Sequence, residues 1–370
     1  MGLRIGEELV LEANELVAGG SALCRSEGLP VFVVSMFPGD TARVRLTEVK
    51  KGYARGEIVE ILRPSPQRRL EPCPIAGECG GCDWTALRLD YQLLAKQRIL
   101  SESLRRIGKL DLGTLPPIAV HPSPLNYRLR SRLHRDGDAV GFFALRSNRV
   151  VPLVPECEVV GPVTARSPVE GQSWEIAGEV ITGEKEIELP VGEFRYHLST
   201  DAFFQVNRHL LPTLLRLVSA HASRTRGTRL AVDLYAGVGF FSAPLAKRFE
   251  TVIAVEGFEK SARWARVNLP PNAEVVHAAS EEWVQRMPQP DLLFLDPPRA
   301  GAHRRVIEAV AERTREMVCY LSCDPVTFAR DASRLIASGW RLTSLDLLDL
   351  FPNTHHVETL SSFERAVSPP

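Results

Sequence analysis

The chain has 370 residues, 44% of them hydrophobic and 24% charged, with 45 basic side chains balanced by 45 acidic ones. That length supports two or three domains, and the zero net charge excludes a protein that binds nucleic acid through global basicity. No run of about 18 apolar residues exists to span a membrane as a helix, and no charged segment with an apolar core and a small-residue cleavage site opens the sequence. A soluble, cytoplasmic protein without a membrane partner is expected. Seven cysteines, an odd number without a leader, do not make a disulfide scaffold, so clustered thiols point to metal ligation or catalysis.

In chain order, residues 9–62 alternate in short apolar runs (Val31 to Val34, Ala42 to Leu46, Gly56 to Ile61) broken by Gly19-Gly20 and Pro38-Gly39-Asp40. The pattern predicts a small all-β barrel over 1–62. Pro64, Pro66, Pro72 and Pro74 mark a linker. It leads into Cys73-x5-Cys79-Gly-Gly-Cys82, three thiols in ten residues on a Pro- and Gly-rich loop, denser than packing requires. Residues 86–109 carry the apolar spacing of a long amphipathic helix. Strand-like stretches with Gly and Pro turns occupy 118–199. Two local basic patches stand out. Residues 41–70 hold eight basic side chains, Lys50, Lys51 and Arg55 among them, against three acidic ones, and residues 121–135 hold Arg128, Arg130, Arg132 and Arg135 with no acid. Either can neutralise phosphates or form a plain solvated face.

From about residue 229 strands and helices alternate. Strands are predicted at Leu230 to Leu234, Thr251 to Val255, Glu274 to Val276, Leu292 to Leu295 and Val318 to Leu321. Helices are predicted at Phe241 to Arg248, Glu259 to Asn268, Arg304 to Arg313 and Val326 to Ala337. This is the pattern of a doubly wound, Rossmann-like α/β domain, which binds ligands at the carboxyl ends of its strands. After the first of these strands comes Asp233-Leu-Tyr-Ala-Gly-Val-Gly239, in which Gly237 and Gly239 permit close backbone approach to a ligand. Glu256, 23 residues on, ends the second strand where a carboxylate can accept from two ribose hydroxyls. The layout admits NAD, but Phe240 and Phe241 stand where a third glycine would seat a pyrophosphate, so S-adenosylmethionine is favoured.

Two later strands end in Asp296-Pro-Pro-Arg299 and Ser322-Cys-Asp-Pro325. Cys319, inside its strand, reads as an inert small hydrophobe. Cys323 lies beyond the strand and ahead of a helix, whose N-terminal field would favour a thiolate. Phe351-Pro-Asn-Thr-His-His-Val-Glu358 adds a carboxylate and two histidines near the chain end.

Taken together with Phe203-Phe-Gln-Val-Asn207 and Ala329-Arg-Asp331, these segments resemble, over nearly the whole chain, the RNA (uracil-5-)-methyltransferases that carry a TRAM domain and an iron-sulfur cluster. They are similar to the bacterial 23S ribosomal RNA uridine-5-methyltransferases. The resemblance implies an N-terminal OB-like TRAM barrel over 1–62, a central β-rich iron-sulfur domain over 63–193 and an α/β methyltransferase domain over 194–370. The 86–109 helix is expected to lie on the α/β domain despite its place in sequence. The resemblance also implies Cys323 as nucleophile and Glu358 as base, since uracil carbon 5 attacks a methyl donor only after a thiolate adds to carbon 6. It further places Gln205, Tyr235, Gly237, Glu256 and Asp296 about the cofactor. Cys157 is implied as the fourth ligand beside Cys73, Cys79 and Cys82, a set that suits a 4Fe-4S cluster or zinc by chemistry and iron-sulfur by resemblance. The implied partner is RNA with a flipped-out base, 23S rRNA ahead of tRNA, and a monomer is the default. Departures from the family pattern fall at Asp324, Phe240 and Ala279. His355 and His356 are assigned to structure or RNA contact. An enzyme acting on exocyclic nitrogen would need neither Cys323 nor Glu358, and a catalytically silent RNA-binding protein would be free to lose both.

Overall fold

The computed structural model describes residues 3–365. Its N-terminal part is a six-stranded sheet of β1 (Glu8–Glu12), β2 (Glu15–Leu16), β3 (Ala22–Ser26), β4 (Leu29–Val33), β5 (Thr41–Val49) and β6 (Ala54–Arg63) in the order β1-β5-β6-β4-β3-β2. Period-two alternation builds it: along β5, Ala42, Val44 and Leu46 are buried while Arg43 and Arg45 face solvent. The proline-rich linker is tied back to this sheet by the buried Asp40, whose carboxylate accepts from Phe37 N (2.7 Å), Ser65 N (2.7 Å) and Arg68 Nη2 (2.7 Å).

The middle of the chain is distributed over three places. Helix α1 (Leu89–Arg106) is three residues shorter at each end than the periodicity predicts. Trp84 to Leu87 instead form a buried turn, with Leu87 N donating to Trp84 O (2.9 Å). Strand β7 (Ile118–His121) leaves the middle stretch to join the edge of the α/β sheet. The remainder makes a five-stranded antiparallel sheet in the order β10-β9-β8-β11-β12, then a hairpin. The sheet comprises β8 (Arg130–Asp136), β9 (Ala139–Phe143), β10 (Val150–Pro152), β11 (Gly171–Ile176) and β12 (Glu179–Thr182), with the short helix α2 (Pro162–Arg166) between β10 and β11. The hairpin pairs β13 (Glu186–Val191) with β14 (Phe194–Ser199).

The α/β part opens with α3 (Leu211–Ala222). Five parallel strands follow, β15 (Leu230–Leu234), β16 (Thr251–Glu256), β17 (Ala273–His277), β18 (Leu292–Leu295) and β19 (Met317–Ser322). Between them run α4 (Ser242–Ala246), α5 (Glu259–Asn268), α6 (Ser280–Trp283) and α7 (Arg304–Arg313), and α8 (Pro325–Ala337) follows β19. Two long strands, β20 (Trp340–Leu348) and β21 (Glu358–Arg365), complete the sheet in the order β17-β16-β15-β18-β19-β21-β20-β7. Every residue of β15 is buried, as both faces of such a sheet must be covered. On one face α1, α7 and α8 pack, and their apolar cluster continues through Trp84 and Leu87 into the N-terminal sheet. The other face carries α3, α4 and the β13–β14 hairpin. The strand order reverses between β15 and β18, which opens the ligand crevice at their carboxyl ends.

Candidate active site

At that reversal Leu234 and Leu295 are paired in register, so Tyr235 and Asp296 leave the sheet side by side. Tyr235 has φ +62°, a backbone conformation that non-glycine residues hold only when their surroundings over-determine it. Its hydroxyl donates to Glu281 Oε1 (2.9 Å). Gly237 follows at φ +57°, and its N–H donates to Glu256 Oε2 (2.7 Å), while Glu256 Oε1 accepts from Phe258 N (2.6 Å). The acidic residue that ends β16 is thus fixed over the glycine turn. Phe240 does not crowd this turn: it is buried against Tyr196, Phe204 and Phe241. Ala279 precedes α6, and the acidic side chain that reaches Tyr235 from the first turn of that helix is Glu281.

Asp296 Oδ2 accepts from Gln205 Nε2 (3.2 Å). Burial, with Asp233 beside it, pushes the Asp296 carboxyl up to about 8. Asp233, at the end of β15, is pushed up to about 7 by burial, against the hydrogen bond its Oδ2 accepts from Ser242 Oγ (2.5 Å). Its Oδ1 is buried without a partner. An orphaned carboxylate oxygen beside a glycine turn fits a cofactor that carries positive charge, as S-adenosylmethionine does. Asp233 opens the glycine motif, yet sequence reasoning gave it no role; Glu281, two residues past Ala279, was also missed.

Ser322 faces Thr359 across the antiparallel β19–β21 ladder, and one step further Cys323 and Glu358 stand opposite each other. Both feel Asp296 and the cation of Arg299. Burial first, then Glu358 and Asp296, push the Cys323 thiol up to about 12. The thiolate-favouring helix field is opposed by Asp324, which accepts from Val326 N (3.0 Å) and Thr327 N (2.8 Å) as the N-cap of α8 and adds a negative charge beside Cys323. Burial also raises Glu358 well above the ordinary carboxylate range. Arg299 Nη2 is hydrogen-bonded to His356 Nδ1, and burial lowers His356 to about 3. His355 is held by Asp83 through its main-chain N–H (3.0 Å) and its Nδ1 (2.6 Å). The structure therefore gathers Cys323, Glu358, Asp296 and Gln205 at one end of the crevice, with Tyr235, Gly237 and Glu256 on its glycine turn.

Elsewhere, Cys73, Cys79, Cys82 and Cys157 line one cavity of about 30 Å3 with Phe142, Leu153 and Val159. All four are free thiols, and burial raises Cys73, Cys79 and Cys82. Gly80 lets the loop approach the middle sheet, since its N–H donates to Phe143 O (2.9 Å) and a Cβ there would meet that same oxygen. Among the described residues no group of three or more His, Cys, Asp or Glu side chains is close enough to hold a single metal ion.

A doubly wound sheet with a glycine turn, a carboxylate over it and no third glycine is the architecture of S-adenosylmethionine-dependent methyltransferases. The family model described as tRNA (uracil-5-)-methyltransferase matches residues 170–365. An uncharacterised RNA methyltransferase of Bdellovibrio bacteriovorus is 31% identical over 96% of this chain and 95% of its own. One of Gloeobacter violaceus is 28% identical over 98% and 97%. Among solved structures, Pyrococcus abyssi tRNA (uracil-54, C5)-methyltransferase in complex with S-adenosyl-L-homocysteine superposes with a TM-score of 0.73 at 25% identity, covering 95% of this chain and 99% of that one. The chain belongs to the RNA (uracil-5-)-methyltransferase family.

Proposed function

We propose that this enzyme methylates carbon 5 of one uridine in RNA, with 23S rRNA as the favoured substrate, through a covalent adduct on Cys323. The observation that carries the reading is the placement of Cys323 opposite Glu358, with Asp296 beside both, at the carboxyl edge of the sheet. Cys323, its thiol proton given up to bulk water, adds as thiolate to carbon 6 of the flipped-out base, and the electron pair of the carbon 5–carbon 6 double bond moves toward O4 as an enolate. Carbon 5 then takes the methyl group from the sulfonium, releasing S-adenosylhomocysteine. Glu358, as carboxylate, removes the carbon-5 proton; the double bond re-forms and the carbon 6–sulfur bond breaks. Its buried, proton-avid carboxyl suits that step. Gln205, Tyr235, Gly237, Glu256 and Asp296 hold the cofactor and orient the base, and Asp233 supplies a further negative charge for it.

In this reading residues 1–62 are a TRAM-type barrel presenting Lys50, Lys51, Tyr53 and Arg55 to RNA, followed by the cysteine-bearing stretch 63–193 and the catalytic domain 194–370. Cys73, Cys79, Cys82 and Cys157 hold a 4Fe-4S cluster. Four thiols around one otherwise apolar cavity, with no disulfide among them, fit such a group by the chemistry of the donor set. When bound it would brace the segments that carry these thiols or help position RNA. The enzyme acts in the cytoplasm as a monomer; no described helix is long and apolar enough to cross a membrane.

Denaturing gels of the protein incubated with S-adenosylmethionine and 5-fluorouridine-substituted 23S rRNA or tRNA test the reading. Fluorine cannot leave as a proton, so the wild type is expected to form a methylated adduct with rRNA that Cys323→Ala does not. An adduct with tRNA alone moves the substrate to tRNA, as the name of the matching family model and of the archaeal relative would have it. No adduct with either removes the covalent mechanism.

A further inference from the structure

The loop between β20 and β21 ends on Glu358 and is gripped five residues earlier, at Asn353. This residue is fully buried and has φ +65°, a conformation in which asparagine is several-fold enriched. Its main-chain oxygen accepts from Asp83 N (3.2 Å) and Trp84 N (3.0 Å), the two residues after Cys82. Its side-chain Nδ2 donates to Glu158 Oε2 (2.9 Å), the residue after Cys157. Its Oδ1 accepts from Arg69 Nη2 (3.1 Å) and Gln92 Nε2 (3.1 Å), and its N–H donates to Gln92 Oε1 (2.8 Å). Arg69 Nη2 also donates to Glu158 Oε2 (2.6 Å), and Arg69 Nε donates to Thr85 O (2.7 Å). Thr85 Oγ1 donates to Glu71 Oε2 (2.9 Å), whose Oε1 accepts from Cys73 N (3.1 Å). The segments that bear Cys82 and Cys157 therefore close directly on this single residue of the catalytic loop, and the one that bears Cys73 closes on it through Glu71, Thr85 and Arg69.

We propose that Asn353 is a positioning residue through which the thiol-bearing segments set the place of Glu358, so that the cysteine site governs release of the methylated base rather than attack or methyl transfer. Cys323 stands between β19 and α8, outside this clamp, whereas Glu358 begins the strand that leaves it. The inference rests on the covalent reading above. A loosened loop leaves the proton on carbon 5, the carbon 6–sulfur bond intact and the enzyme arrested as a methylated adduct on ordinary uridine RNA.

The test compares ordinary and 5-fluorouridine RNA for the wild type, Asn353→Ala, Asn353→Asp, Asn353→Asp/Glu158→Gln and Cys157→Ser, with iron content measured for each. Asn353→Ala is expected to release product about tenfold or more slowly and to accumulate adduct on ordinary RNA, while its adduct formation on 5-fluorouridine RNA stays within about twofold of wild type. Asn353→Asp keeps the backbone conformation but sets two carboxylates together and is expected to arrest likewise. The added Glu158→Gln reverses donor and acceptor across the same pair, leaves Arg69 its carboxylate, and is expected to restore release. Cys157→Ser is expected to lose iron and arrest on ordinary RNA as Asn353→Ala does. Equal slowing on both RNAs, unslowed release by Asn353→Ala, or no rescue by the double variant overturns the inference. If the wild type forms no adduct on 5-fluorouridine RNA, the covalent reading itself falls and takes this with it.

Discussion

The resting nucleophile is expected to be unreactive, and the extent can be worked out. The Cys323 thiol is pushed up to about 12 from an ordinary 9.0 by burial and by the carboxyls of Glu358 and Asp296, against the opposing pull of Arg299. Three pH units cut the thiolate share at neutral pH about a thousandfold. A more basic thiolate is intrinsically faster, by a Brønsted slope of about 0.4–0.5, which returns roughly fifteen- to thirtyfold. Alkylation by iodoacetamide at pH 7.5 should thus run about thirty- to sixtyfold slower at Cys323 than at an unperturbed peptide thiol, before any loss of access. The sign is also fixed: because the neutral form is favoured, the rate should rise about tenfold per pH unit through pH 10 instead of levelling near 9. At pH 10, Glu358→Gln removes the largest opposing charge and should accelerate it. Mass spectrometry of the Cys323 peptide after timed alkylation, with a free peptide and the urea-unfolded chain as controls, reads this directly. A peptide-like rate at pH 7.5 with a plateau near pH 9 would refute the electrostatic account of the site.

Other outcomes follow from buried charge. Lys96 Nζ, fully buried, donates to Asp349 Oδ1 (2.6 Å) and Phe351 O (3.0 Å); Lys96→Met should cost about 3–5 kcal/mol by stranding Asp349, and Lys96→Met/Asp349→Leu should recover most of it in denaturant titrations. Asp233 and Asp296 hold protons in the fold up to about 7 and 8, whereas the unfolded chain releases them near pH 4. The ligand-free protein should therefore lose stability from these groups as pH rises between those limits. The cationic cofactor should bind more tightly at pH 8.5 than at pH 6 by calorimetry; a flat or falling affinity would remove these carboxylates from its site. Glu256→Ala, which unties Gly237 and Phe258, should weaken cofactor binding about tenfold or more, at roughly 1–3 kcal/mol for buried donors left unpaired.

The parallel strands were legible in the sequence because each is a short, mainly apolar run with turn-forming glycine or proline within a few residues of it. Leu230–Leu234 and Leu292–Leu295 fall where the pattern put them, and the motif residues follow at strand ends, where an open α/β sheet places its ligands. Strand β21 was not legible. It reads ETLSSFER, and its serines are buried. Ser362 Oγ meets Ser344 Oγ (2.7 Å), Thr343 Oγ1 (3.1 Å) and Arg224 Nη1 (3.2 Å), so this interior is satisfied by hydrogen bonds that hydrophobic periodicity cannot register. Strand β7 is four residues long and pairs with β20 more than 200 residues away, which no local signal encodes. The cap that opposes the helix field at Cys323 was hidden for a similar reason: only the structure shows that Asp324 takes the first N–H groups of α8.

The same contrast separates the chemistry from its support. Residues that react sit on strand ends, and a short sequence window identifies them. The loop that delivers Glu358 is held by Lys96 at Asp349 and Phe351, by Gln92, Arg69 and Glu158 at Asn353, and by Asp83 at His355, partners 195 to 284 positions away. An apolar anchor would bury the loop at less cost, since desolvating Lys96 and Asp349 consumes much of what their attraction returns. Directional hydrogen bonds instead fix a position, which burial alone does not do. A base that must reach one proton on one carbon needs that placement, and Asn353, bonded on main chain and side chain alike, is where the cost is concentrated.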